Sequence, residues 1–262
     1  MTVAVLGTGK LGSALIQGWQ GAAEFSAASL RLFNPTPAKA GALGVGQVFG
    51  TPQEAVQTAD VVLLGMKPHF VLDALKSLGD TLPEHALAIS LAAGIKTASM
   101  EAILPEGQPV ARVLPTTAAK IRQSASAYCL GKSATDAHAA SIERLFTPLG
   151  SCVRVLETQL DGALGVSSSG IAFAYLFLEA LIDGGVKAGL PREQARALAI
   201  QTLSGAAAMA LATGEHPGAL KDAVTTPGGT TIAGLEVLER AGVRGAVIGA
   251  VDAAARRSRE LG

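Results

Sequence analysis

The first half of the chain alternates short apolar runs with segments of helical spacing. Thr2–Leu6 reads as a buried strand and Leu11–Gln20 as a helix. Leu30–Phe33 reads as a second strand. Val61–Gly65 is apolar throughout and is followed by a helix over Phe70–Leu78. Leu87–Leu91 and Val110–Leu114 give two more strands. Strands that are continuously apolar are buried on both faces, as in parallel sheets. Their alternation with helices predicts an α/β fold: a parallel sheet with helices on both faces.

The character changes near Glu157. From there to Gly262 the chain shows long Ala- and Leu-rich segments and no strand. Pro191 follows Gly189-Leu190, a helix stop and a first-turn proline. Pro217 and Pro227-Gly228-Gly229 break later helices. These features predict two domains, 1–156 and 157–262, the second all-helical. Within it, Ile171–Ile182 is apolar on nearly every face. A helix without a polar side must be buried all round, and so small a domain has little interior to hide one. Burial against a second subunit, hence a homodimer, is expected. The alternative is the central helix of a monomeric bundle.

Composition narrows the function classes. With 49% hydrophobic and 16% charged residues, the 262-residue chain can build a core and is not disordered. Lys+Arg and Asp+Glu both number 21, and aromatics are 4%, which excludes the basic stripe and stacking surface of a nucleic-acid binder. The segment Met1–Leu6 lacks a charged leader, and no apolar run reaches the roughly 18 residues of a membrane span. The closest, Ile171–Leu178, is stopped by Glu179 and Asp183. A soluble, cytoplasmic protein is expected. Cys129 and Cys152 read as buried thiols in a reducing compartment. His69, His85, His138 and His216 form no ligand cluster, so no metal is expected.

The candidate chemistry begins at Gly7-Thr8-Gly9-Lys10-Leu11-Gly12, a G-x-G-x-x-G run between a predicted strand and a predicted helix. Gly7 permits the tight turn, Gly9 lets a pyrophosphate approach the backbone, and Gly12 allows close helix packing. The helix N-terminus presents free N–H groups and a positive dipole end. This identifies the first domain as a Rossmann-type, doubly wound dinucleotide-binding sheet; the bland alternative is a glycine turn without a ligand. NAD-selective folds place a carboxylate after the second strand. Here Phe33 is followed by Asn34-Pro35-Thr36-Pro37. Without that carboxylate, Asn34 and Thr36 as donors and Lys39 as a charge favour NADP over NAD, although Asn34-Pro35 is also an ordinary turn. Met66, Lys67 and Pro68 end the apolar strand at a carboxyl edge, where ligands of such sheets bind. Lys67 reads equally as a solvated loop lysine, and His69 as structural.

The most specific segment is Asp222–Glu239, a hydroxyl-rich glycine loop leading into a helix. Thr230 or Thr231 sits near its N-cap, a place suited to a small carboxylate or simply to a cap. The run Thr226-Pro227-Gly228-Gly229-Thr230-Thr231 resembles the S-P-G-G-T-T signature of the pyrroline-5-carboxylate reductase family. Val61–His69, Ser90–Ile95, Ala111–Pro115, Glu179–Asp183, Gly189–Gln194 and Ala254–Leu261 also match that family's pattern.

The resemblance implies hydride transfer from NAD(P)H to a cyclic imine, the step that yields proline. It implies a nicotinamide held by the first domain and reaching toward the helical one. It further implies that Thr226, Gly228, Gly229, Thr230 and Thr231 bind the substrate carboxylate, with the Thr231 hydroxyl on the ring nitrogen as the catalytic group. It also allows larger rings of dimers. Three stretches depart from the family: Pro115-Thr-Thr-Ala118 replaces P-N-T-P, Ser167–Phe173 replaces S-G-S-G-P-A-Y, and Thr226 replaces the first serine of the loop. Rival readings are a β-hydroxyacid dehydrogenase, which wants a lysine early in the central helix where Ser167–Leu178 has none, a non-catalytic nucleotide sensor, and a reductase of a related cyclic imine.

Overall fold

In the computed structural model, Val3–Leu6 forms strand β1, and its side chains enter two different cores. Val3 and Val5 pack with Leu15, Ile16 and Trp19 of helix α1 (Lys10–Gln20). Ala4 and Leu6 pack on the other face of the sheet, with Ala55 and Val56 and with Val71, Leu75 and Leu78. The two-residue period of a strand therefore buries both faces, and the apolar run needs no polar alternation. The structure describes residues 1–22 and 29–261; residues 23–28 and 262, which fall within the two expected domains, lie outside it.

The sheet contains β1, β2 (Leu30–Phe33), β3 (Gln47–Val48), β4 (Val61–Leu64), β5 (Leu87–Ser90), β6 (Val110–Leu114), β7 (Ser124–Leu130) and β8 (Gly150–Arg154). Their spatial order is β3-β2-β1-β4-β5-β6-β7-β8. The chain runs outward from β1 in one direction and then returns to β4 on its other side, so the switch point lies between β1 and β4. The sheet is not the wholly parallel one that the sequence pattern implies: β7 pairs antiparallel with β6, and β8 runs parallel to β7. Helices α2 (Pro37–Gly41), α3 (Pro52–Val56), α4 (Val71–Leu78), α5 (Thr97–Glu101) and α6 (Asp136–Phe146) fill the connections. Trp19 is fully buried and its indole N–H donates to the Leu145 carbonyl at 2.7 Å. That bond satisfies the polar atom that a buried tryptophan carries.

Residues 157–261 are helical and contain no strand: α7 (Glu157–Val166), α8 (Gly170–Lys187), α9 (Arg192–Thr213), α10 (Pro217–Ala223), α11 (Thr230–Arg240) and α12 (Val243–Glu260). By packing, the chain divides into Met1–Ser169 with Asp252–Gly262, and Gly170–Val251. Helix α7 goes with the sheet because Leu160 is fully buried beside Leu114, Ala127 and Cys129. The sequence pattern places the boundary near residue 156, where the Ala- and Leu-rich helical segments begin; packing places it after Ser169, where the apolar contacts of α7 end.

In the second unit α8 and α9 meet closely. A Cβ on Gly185 would lie 2.9 Å from that of Ala195, and Arg192 bonds Asp183 at 2.8 Å. Beyond that contact their apolar surface lies open. Helix α8 has no buried residue, with Tyr175 62% and Leu176 68% exposed, and α9 buries only Ala195 and Ala199. The expectation that no segment is long and apolar enough to span a membrane is corrected. Glu157–Lys187 and Arg192–Thr213 both qualify by length and composition, since their few charges do not bring the average down.

Candidate active site

Two groups of predicted residues are placed by the fold, one in each unit. In the first, the ends of β2, β1 and β4 bring together the glycine loop, Asn34 with Thr36, and Met66-Lys67-Pro68. These are neighbouring carboxyl edges at the switch point, where open α/β sheets bind ligands. The loop is fixed from both sides: the Gly7 N–H donates to the Phe33 carbonyl at 2.9 Å and the Gly65 N–H to the Leu6 carbonyl at 2.8 Å. Gly7 has φ +104°, and a Cβ there would meet the Gly65 carbonyl carbon at 2.9 Å. A Cβ on Gly12 would stand 2.3 Å from the Gly7 carbonyl oxygen.

Gly9 differs. A Cβ on it would meet nothing within 4 Å. Its glycine is explained by no protein neighbour, which is what the approach of a diphosphate to the backbone requires. Gly9 is also the N-cap of α1, and no side chain caps that helix. The N–H groups of Lys10, Leu11 and Gly12 therefore point outward without intrahelical acceptors, and the first turn carries no acidic residue to compete with an anion. The residues present fit a dinucleotide diphosphate.

Asn34 is buried and its amide is largely engaged. Its Nδ2 donates to the Thr8 hydroxyl at 2.9 Å, and its Oδ1 accepts the Thr36 N–H at 2.9 Å. It ties the glycine loop to the turn after β2, so its first role is to position both. Thr36, in that turn, and Lys39, in α2, are exposed. Lys67 is exposed, Pro68 opens a 3-10 turn (Pro68–Phe70), and the His69 ring lies against Phe70 at 4.1 Å.

In the second unit the N-cap of α11 is Gly229, with no side-chain cap bond, so neither Thr230 nor Thr231 is the cap. They are the first and second residues of the helix. The Gly229 N–H is already donated to the Thr226 carbonyl at 3.1 Å, which removes it from the donors expected of this loop. The N–H groups of Gly228, Thr230 and Thr231 keep no acceptor among the described residues, and neither do the hydroxyls of Thr226 and Thr231. Gly228 takes φ +65°, and a Cβ on Gly229 would lie 2.3 Å from the Thr226 hydroxyl oxygen. Both glycines are needed to turn the chain under that hydroxyl. The result is a convergent set of donors on an exposed helix N-terminus, suited to a small carboxylate.

One cluster was not read as chemistry from the sequence. Arg112, in the middle of β6, is almost wholly buried and meets Glu157 at 3.2 Å. Glu157 also accepts the Thr97 N–H at 2.8 Å and the Thr97 hydroxyl at 2.7 Å. Burial pushes the Glu157 carboxyl up, but the Thr97 bonds and Arg112 outweigh it and hold the carboxyl below the usual glutamate range. The stability this carboxylate contributes is full above the ordinary glutamate value and is lost as pH falls through its lower folded value. Glu157→Ala is expected to cost about 3 kcal/mol near neutral pH, the lower end for a broken buried pair because Glu157 is partly solvated. Glu157→Gln should flatten the acid side of the melting-temperature profile. An unchanged profile would show that the network does not stabilise the fold. By contrast, burial pushes the thiols of Cys129 to about 11 and Cys152 to about 12, so both are unreactive at neutral pH.

Residues 157–261 match the family model described as pyrroline-5-carboxylate reductase dimerisation. Residues 2–94 match the model described as NADP oxidoreductase, coenzyme F420-dependent. A relative named pyrroline-5-carboxylate reductase, from Pisum sativum, is 40% identical over 263 residues, covering 99% of this chain and 96% of that protein. The chain belongs to the pyrroline-5-carboxylate reductase family. Among solved structures of this reductase family, that from Coxiella burnetii superposes with a TM-score of 0.92 at 30% identity, covering 99% of this chain and 98% of the other. The Plasmodium falciparum enzyme, solved with NADP bound, gives 0.90 at 27% identity, covering 100% and 98%.

Two of the stretches that depart from the reductase pattern meet in the first unit, at Pro115 and Ser168. The Ser168 hydroxyl donates to the Pro115 carbonyl at 3.3 Å, and the Thr116 N–H donates to the Ser124 hydroxyl at 2.9 Å. The changed Ser168 and Thr116 thus each bond an unchanged neighbour at the end of β6.

Proposed function

We infer that this chain is an oxidoreductase that reduces 1-pyrroline-5-carboxylate to L-proline with NAD(P)H. Family membership over nearly the full length supports this. The observation that carries it in the structure is the pair of built sites. One is a glycine loop whose Gly9 leaves open space before an uncapped helix. The other is a threonine-rich helix N-terminus with free donors. When bound, the nicotinamide supplies the hydride. The chain's residues do the rest. The first turn of α1 holds the diphosphate. The N–H groups of Gly228, Thr230 and Thr231 and the Thr226 hydroxyl hold the substrate carboxylate. The Thr231 hydroxyl hydrogen-bonds the ring nitrogen, which orients the imine carbon and assists protonation of the nitrogen. The test is oxidation of reduced nicotinamide with pyrroline-5-carboxylate as the variable substrate, beside related cyclic imines. Turnover that prefers another imine would overturn the substrate assignment.

NADPH is the preferred donor. The support is the absence of a carboxylate after β2, with Thr36 and Lys39 exposed where the ribose 2′ position is met in such folds. The ratio of kcat/KM for NADPH over NADH should exceed one; a ratio below one overturns the preference.

A second copy of the chain covers the open faces of α8 and α9, giving a homodimer that can assemble into larger rings of dimers. The dimerisation model spanning both helices favours a protein partner over lipid for these faces. Light scattering at low micromolar concentration should give at least twice the chain mass. A stable, active monomer would falsify this. The unpaired thiols of Cys129 and Cys152 suit a cytoplasmic protein.

A further inference from the structure

A recess of about 430 Å³ in the first unit is lined by Lys96, Arg112, Glu157, Asp161, Ser258 and Arg259 and by the first turn of α7, none of them in either group described above. Its charges are unevenly engaged. Both Glu157 oxygens are taken by Thr97, one of them shared with Arg112, and Asp161 accepts the Ser258 hydroxyl at 2.6 Å. The cations are not. Arg112 is 2% exposed, yet only its Nη1 has a protein partner; Nε and Nη2 are buried with none. Lys96 and Arg259 form no ion pair or side-chain hydrogen bond among the described residues. Three cations against two anions leave one positive charge in surplus. Buried charged donors without acceptors are rare and usually mark an ion or solvent that completes them. The positive end of α7, ten residues long, adds to the same field.

We propose that this recess is a binding site for a small oxyanion, a phosphate or a carboxylate, held by Lys96 and Arg259 over the buried Arg112 and the N-terminus of α7. Guanidinium groups suit such ligands because their planar donors match two oxygens at once. The site shares no lining residue with the glycine loop or the Thr226–Thr231 loop, and does not depend on the reading of either.

The test is titration calorimetry on the full chain with NADP⁺ already saturating, which fills the phosphate-binding loop. Inorganic phosphate and acetate are titrated separately. The first isotherm, for NADP⁺, reports on the cofactor reading by itself. Binding of either anion to the wild type is expected, with Kd raised at least tenfold in Lys96→Gln and in Arg259→Gln. Both altered residues are exposed, so melting temperatures should match the wild type. Phosphate alone assigns a phosphate ligand, and acetate alone a carboxylate. No heat with either anion overturns the proposal. So does a Kd that the Lys96 and Arg259 variants leave unchanged.

Discussion

Gly9→Ala is expected to leave the fold nearly intact and to weaken NADPH binding by tenfold or more, whereas Gly12→Ala should damage the fold itself. The two glycines share a loop but not a reason. A Cβ on Gly12 would stand 2.3 Å from the Gly7 carbonyl oxygen, backbone against side chain, with β1 and α1 both held in the core. That overlap is relieved only by moving the loop or the helix, at a cost of about 3 kcal/mol. A Cβ on Gly9 meets nothing within 4 Å. At an N-cap, alanine in place of glycine costs less than about 1 kcal/mol. The methyl group would instead stand where a diphosphate must come against the backbone, and a tenfold weaker complex corresponds to about 1.4 kcal/mol. Melting curves with and without NADPH separate the cases. The wild type should gain stability with the cofactor. Gly9→Ala should match it in the absence of cofactor and gain less, and Gly12→Ala should start lower. A Gly9→Ala protein that binds NADPH as tightly as the wild type would remove the diphosphate from this loop.

The same loop shows why part of the site was legible in the sequence. A turn that admits no Cβ can be made only from glycine, so the backbone constraint is written directly in residue type. Strands β1, β2, β4, β5 and β6 were legible because burial shows as unbroken apolar runs. Strand β7 was not. Its residues, Ser124-Ala-Ser-Ala-Tyr-Cys-Leu130, look half polar, yet Ser124 and Ser126 are buried and satisfy each other at 3.0 Å. Strand β8 is a largely exposed edge, with little apolar signal. The antiparallel turn between β6 and β7 did have a signal: residues 115–123 are fewer than the dozen or more that a parallel crossover needs. The Arg112 cluster also had one, a lone arginine inside Val110–Leu114, whose partner Glu157 lies 45 residues on and cannot be chosen from sequence. The Thr226–Thr231 loop was visible as a helix start, but its tie to an imino acid came through resemblance. Physical reasoning alone put Thr230 or Thr231 near the N-cap, with a plain helix cap as the alternative role, and the structure gives the cap to Gly229, so that role shifts away from both.

That shift sharpens the expectation for Thr231→Ala. A threonine at the cap would lose about 1 kcal/mol of stability on truncation. Thr231 is instead the second residue of α11, half-buried, and its hydroxyl bonds nothing among the described residues. The melting temperature should therefore barely change. If the hydroxyl hydrogen-bonds the ring nitrogen of the imine, kcat/KM should fall. Loss of a hydrogen bond to a group that becomes charged is worth about 1.5–3 kcal/mol, or roughly ten- to hundredfold. Thr231→Ser keeps the hydroxyl and should retain most of the activity. NADPH affinity should stay as it is, since the Gly7–Gly12 loop belongs to the other unit. Melting temperature, NADPH affinity and kcat/KM measured on the same two variants separate the roles. A drop in kcat/KM in the alanine variant, restored by serine at constant stability, assigns the hydroxyl to the reaction. Full activity in Thr231→Ala would take it out of the mechanism and leave the carboxylate donors of the loop, Gly228, Thr230 and the Thr231 N–H, as the only contribution of this helix start.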